Sequence, residues 1–157
     1  MIVDSIHDLA ANLGPKRRLL GLDVGSKTIG LALSNSALTL ASPLETIRRG
    51  KIAADARRLA ELIGAHDIGG LVIGLPVEMN GNEGPACQSV RQFAANLLER
   101  VEIDVAFWDE RLSTAAVERF LVDQVDMTRR RRAEVVDKMA AAYILQGALD
   151  AVAAGKT

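Results

Sequence analysis

The chain has 157 residues, 49% hydrophobic and 25% charged, with a net charge of -1. That is the size of one domain able to bury roughly two-thirds of its unfolded surface. A single cysteine, Cys87, excludes an internal disulfide, and two histidines (His7, His66) without a Cys/His cluster exclude a zinc site. With no signal-type apolar core and no run of about 18 apolar residues, a cytoplasmic protein without a membrane span is expected.

Residues 4–13 read as a short amphipathic helix, with Ile6, Leu9, Ala10 and Leu13 on one side. We take residues 1–16 as an N-terminal helical extension and 17–157 as the main domain. The stretch Leu19 to Leu33 is two apolar runs joined at Gly25-Ser26-Lys27, the pattern of a β-hairpin. The first run ends on Asp23 and the second spans Thr28 to Ser34. A third strand from Pro43 to Ile47 completes an antiparallel meander, with proline placing it at an edge or at a strand start. A helix follows from Lys51 to Gly64, carrying Ile52, Ala56, Leu59, Ala60 and Ile63 on one face. Ile68 to Gly74 has the unbroken apolar character of a strand buried on both sides. After a loop of turn formers (75–85), a second helix turns Val90, Phe93, Ala94, Leu97 and Leu98 inward. Strand five covers Ile103 to Trp108. A third helix starts at Ser113 or Thr114 and runs through Leu121. The basic segment 127–132 then leads into a final helix from Ala133 to Ala153. Three antiparallel strands followed by βα crossovers make an α/β protein with a mixed five-stranded sheet and helices on both faces.

Three acids interrupt apolar patterns: Asp23 at the end of strand one, Glu110 after strand five, and Asp137 in the last helix. A carboxylate leaving a buried strand is costly unless a cation or donors meet it. Two bare carboxylates about 4 Å apart repel by roughly 4 kcal/mol at an effective dielectric near 20. Three brought together by the fold therefore imply a compensating cation, and oxygen-only ligands favour Mg²⁺ or Mn²⁺. Ala133, Ala141 and Ile144 share the side of the helix that carries Asp137, which turns that acid toward protein. In open α/β sheets ligands gather at the carboxyl ends of strands, where Asp23 and Glu110 lie. Basic clusters at 16–18, 48–51, 57–58 and 129–132 suit a phosphodiester partner.

Four segments resemble the YqgF family, also called RuvX, whose members are pre-16S rRNA nucleases related to Holliday-junction resolvases. They are Gly21 to Gly30, Val72 to Pro76 with Asn80-Gly81, Asp109 to Thr114, and Val136 to Ala141, in the family's order. The resemblance covers about 17–150. It implies a ribonuclease-H-like fold, metal-dependent phosphodiester hydrolysis, and Asp23, Glu110 and Asp137 as catalytic and metal-holding residues. Where resolvases of this fold carry an acid at the end of strand four, this chain has Gly74-Leu75-Pro76, so Glu110 on the next strand is expected to substitute.

Lys27, Arg111 and Arg129, Arg130, Arg131 and Arg132 are candidate nucleic-acid contacts, Arg111 alternatively orienting Glu110. Thr28, Ser113 and Thr114 either hold water at the metal or cap structure, and Gly25, Gly30 and Gly74 allow close backbone approach. Phe107 and Trp108 read as core, and 3% aromatic residues argue against recognition by stacking. The expected function is 5′-end processing of pre-16S rRNA by a monomer or homodimer that uses Mg²⁺ or Mn²⁺. A four-way DNA junction resolvase is the alternative within the same chemistry, and a non-catalytic rRNA-binding factor the alternative outside it.

Overall fold

The computed structural model describes residues 1–112 and 129–155, the side chains of 129–135 excepted. Its elements are α1 (Ile6–Ala11), β1 (Arg18–Val24), β2 (Thr28–Ser34), β3 (Ala41–Arg48), α2 (Ile52–Ala65), β4 (Ile68–Leu75), α3 (Pro85–Leu98), β5 (Asp104–Asp109), a single 3-10 turn (Glu110–Leu112) and α4 (Arg129–Ala153). The strands form one sheet in the order β3-β2-β1-β4-β5. β1 pairs antiparallel with β2 and β2 with β3, while β4 runs parallel to both β1 and β5. The apolar runs thus form the expected mixed sheet, with β1 at its centre. Pro43 lies on edge strand β3 opposite Ala32, beside the register shift between Leu31 and Ala32, where a missing amide is tolerated.

The last helix differs from its expected start. It begins at Arg129 and not at Ala133, so the arginine run forms its first turn instead of leading into it. Basic residues oppose the dipole at a helix start, which is why the pattern suggests a later one, but arginine is itself a good helix former. The helix expected at 113–121 lies outside the described residues.

Strand alternation sorts side chains onto two faces. Leu20, Leu22, Ile29, Leu31, Leu71 and Ile73 meet Leu59 and Leu62 of α2 and Val90, Phe93 and Leu97 of α3 in one core. The other face presents Leu19, Ala32, Val72 and Ala106 to Ile144, Leu145 and Leu149 of α4, with Ile6 and Leu9 of α1 joining them. This second face is lined with small residues. A Cβ added at Gly21 would stand 2.8 Å from Leu145 Cβ and 3.0 Å from the Ala141 carbonyl oxygen; at Gly30 it would stand 2.0 Å from the Asp137 carbonyl oxygen. Helix α4 therefore rests its backbone on the sheet.

The N-terminal segment, whose role the sequence leaves open, covers the free side of β5. Val3 N–H donates to the Val105 carbonyl at 2.8 Å, and Val105 N–H donates to the Met1 carbonyl at 2.9 Å. An exposed edge strand is a template for unwanted pairing, and this short parallel bridge occupies it. α1 then buries Leu9 completely, with Cδ1 2.8 Å from where Gly70 would carry a Cβ. Leu9→Ala should therefore destabilise the protein by about 2–5 kcal/mol, a melting temperature lower by roughly 4–20 °C. An unchanged melting curve would show the segment to be a loose appendage.

Candidate active site at the carboxyl end of the sheet

Asp23 is the last but one residue of β1 and pairs with Gly30 of β2. Its strand parity matches Leu19 and Gly21, so it belongs to the α4 face, and it is only 9% exposed. Glu110 opens the turn directly after β5. Its Cγ and Oε1 each lie 2.9 Å from the point a Cβ on Gly74 would occupy, so its side chain folds back over the end of β4. Asp137 lies more than two turns inside α4, not in the first turn where the macrodipole favours an acid. It shares the helix face of Ala141 and Ile144, both buried against the sheet.

Asp23, Glu110 and Asp137 line one open cavity of about 510 Å³, together with Gly25, Ser26 and Ser89. A cavity of about 560 Å³ opens at the opposite end of the sheet, around Arg17, Gly69 and Asp104. The former lies at the carboxyl ends of the strands, where sheets of this kind bind ligands. Its donor set is oxygen only, which suits a hard cation. Among the described residues no three acidic, histidine or cysteine side chains stand close enough to chelate one ion by themselves. Mg²⁺ commonly keeps several waters and is bound through one or two carboxylates plus substrate phosphate oxygens.

The turn between β1 and β2 is braced. Gly25 N–H donates to the Thr28 carbonyl at 2.8 Å, and Arg49 N–H to the Lys27 carbonyl at 2.9 Å. The Arg49 guanidinium donates to the Gly25 carbonyl at 2.7 Å and lies over the Phe93 ring, 5.1 Å from its centre. Thr28 Oγ1 donates to Asp137 Oδ2 at 2.5 Å.

Lys27 is exposed on this turn. Arg111 is engaged elsewhere: its Nε and Nη2 grip Asp109, with Nη2 at 2.6 Å from Oδ2, and Nη1 donates to the carbonyls of Glu78 and Met79 at 3.2 and 3.4 Å. Hydrogen bonding to that guanidinium holds the Asp109 carboxyl below its usual range. Arg111 thus ties the β4–α3 loop to the residue before Glu110. The side chains of Arg129 to Arg132, and Ser113 and Thr114 altogether, lie outside the described residues. Phe107 packs against the α2/α3 core and Trp108 against the α4 core, as expected.

Sequence reasoning misses Asp109 as the partner of Arg111 and Thr28 as the partner of Asp137. The second is detectable: Thr28 and Gly30 alternate along β2 and so share the face on which α4 sits.

The family described as RuvX, Holliday junction resolvase, matches residues 17–151. A relative from Paramagnetospirillum magneticum, named "Putative pre-16S rRNA nuclease", is 61% identical over 143 residues, 91% of this chain and 92% of its own. One of the same name from Rhodospirillum rubrum is 57% identical over 152 residues, 97% and 94% of the two chains. Among solved structures, Thermus thermophilus RuvC superposes with a TM-score of 0.55 at 12% identity, over 88% of this chain and 97% of that one. T. thermophilus RuvC in complex with Holliday junction substrate gives 0.54 at 13% identity, over 86% and 94%. At such identities the likeness is one of fold, the ribonuclease-H-like fold. Sequence match and fold agree, and the chain belongs to the RuvX family.

Proposed function

We propose that this protein is a nuclease that hydrolyses phosphodiester bonds with Mg²⁺ or Mn²⁺ held by Asp23, Glu110 and Asp137. Its substrate in this reading is precursor 16S rRNA, cut in 5′-end processing during ribosome biogenesis, which takes place in the cytoplasm. The observation that carries the reading is the meeting of three acids, distant in sequence, on one cavity at the carboxyl ends of β1 and β5. The names of the relatives supply the substrate class. The Glu110 side chain fills the space over Gly74, which supports its standing in for an acid at the end of β4.

Each residue then has a definable task. Asp23 presents a carboxylate from a rigid central strand, with little solvent to screen it. Glu110 presents a second from the adjoining turn, whose base Asp109 and Arg111 fix. Asp137 brings a third across from α4. A divalent cation, when bound, polarises the scissile phosphate and stabilises the leaving oxygen. Carboxylate oxygens not engaged in that task accept hydrogen bonds from water and orient it toward phosphorus. Lys27 and the arginines at 129–132 are assigned to flanking phosphates. No described helix is long and apolar enough to cross a membrane.

A four-way DNA junction is the second reading, favoured by the description of the family. Labelled RNA spanning the 5′ end of precursor 16S rRNA and a labelled four-way junction, each with Mg²⁺ or Mn²⁺, separate the two. Asp23→Asn, Glu110→Gln and Asp137→Asn should each cut the rate by about a hundredfold or more, the usual loss of one electrostatic stabiliser, while still melting cooperatively. Wild-type turnover in all three would remove the active-site assignment, and metal-independent action would favour a binding factor.

Replacing Arg129 to Arg132 together by alanine should weaken RNA affinity at every sequence. It should also flatten the logarithmic salt dependence by up to about 0.7 for each single-strand phosphate that the arginines no longer neutralise. An unchanged slope would make the run a solvated helix face.

A further inference from the structure

Asp137 is held by β2 at two points. Its backbone sits directly over Gly30, the one residue type that leaves room for it, and its carboxylate accepts a hydrogen bond from the Thr28 hydroxyl at 2.5 Å. Thr28 is itself tied into the sheet. Its Cα is in register with Arg48 of β3, and its carbonyl closes the Gly25 turn that Arg49 braces. The bond joins residues 109 positions apart and is partly buried.

A carboxylate offers about four lone-pair sites and rotates freely about its last bond unless a donor fixes it. We propose that Thr28 is a positioning residue for the reaction: by donating to Oδ2 it fixes the carboxylate of Asp137, a residue that lines the cavity, and leaves Oδ1 available to the cation. This rests on the nuclease reading above. Having donated its single O–H to Asp137, the hydroxyl can otherwise only accept, so it has no hydrogen bond to give a phosphate oxygen. The side chain therefore acts through Asp137 and not on the substrate.

Thr28→Val keeps the branched shape and removes the donor; Thr28→Ser keeps the donor and removes the methyl. Two readouts separate positioning from packing: the rise in melting temperature on titrating Mn²⁺ into EDTA-treated protein, which reports binding to the native state, and single-turnover cleavage at saturating RNA. In Thr28→Val the Mn²⁺ concentration giving half the melting shift should rise about tenfold or more, as when a ligand loses its orienting partner. The cleavage rate should fall by a similar factor while RNA affinity stays at the wild-type value. Thr28→Ser should restore both, and in an Asp137→Asn background Thr28→Val should add nothing. A wild-type Mn²⁺ midpoint and rate in Thr28→Val overturn the proposal, and so does a Thr28→Ser as impaired as Thr28→Val. If the wild-type protein shows neither a Mn²⁺ shift nor cleavage, the nuclease reading itself has failed, a result distinct from either of those.

Discussion

The structure depends on how closely helix α4 lies on the sheet. Side chains normally hold a helix and a sheet apart, and here three positions on the sheet have none. Gly21, Gly30 and Gly74 lie under Leu145 and Ala141, under the Asp137 carbonyl, and under Ile144 with the Glu110 side chain. Close packing of this kind leaves little room for adjustment, because protein interiors are as dense as organic crystals. The buried residues Ala141, Ile144, Leu145, Ala148 and Leu149 then hold the helix down by ordinary apolar burial. The geometry at one end of α4 is thus set by packing along the rest of it.

That contact also assembles the site. Asp23 and Glu110 come from strands of one sheet that end on the same side and would be close in any fold of this topology. Asp137 belongs to a different layer, and only the depth of α4 brings it to the same cavity. The surrounding devices work on backbone. Arg49 braces the β1–β2 turn from outside, and Arg111 binds Asp109 and two loop carbonyls, so both arginines hold loops in place.

Much of this is legible in the sequence. The hairpin at 19–33 shows in its apolar runs and Gly-Ser-Lys turn, the edge position of β3 in Pro43, and both-sided burial of β4 in its unbroken apolar run. The three acids stand out because each interrupts such a pattern. What is not legible depends on contacts between layers. The bond from Thr28 to Asp137 spans 109 positions with no local signature. The pairing of Met1 to Val3 with β5 involves too few residues to form a pattern. Arg111 has more than one acid within its reach along the chain, and only the loop conformation selects Asp109. The start of α4 escapes the pattern because four like charges at a helix start contradict the dipole rule, whereas helix propensity and the packing of the rest of α4 override it.

Helix α4 sits where it does because β2 has no side chain at position 30. The most direct test is the melting temperature of Gly30→Ala against that of Gly64→Ala. At Gly64 an added Cβ meets nothing within 4 Å, while at Gly30 it would meet the Asp137 carbonyl oxygen at 2.0 Å. Gly64→Ala, inside helix α2, should leave the melting temperature unchanged or raise it by the helix propensity gained. Gly30→Ala should lower it by several degrees or more, as overpacking by about 1–3 kcal/mol requires. A Gly30→Ala protein that melts with Gly64→Ala would mean that the seat of α4 does not depend on the missing side chain.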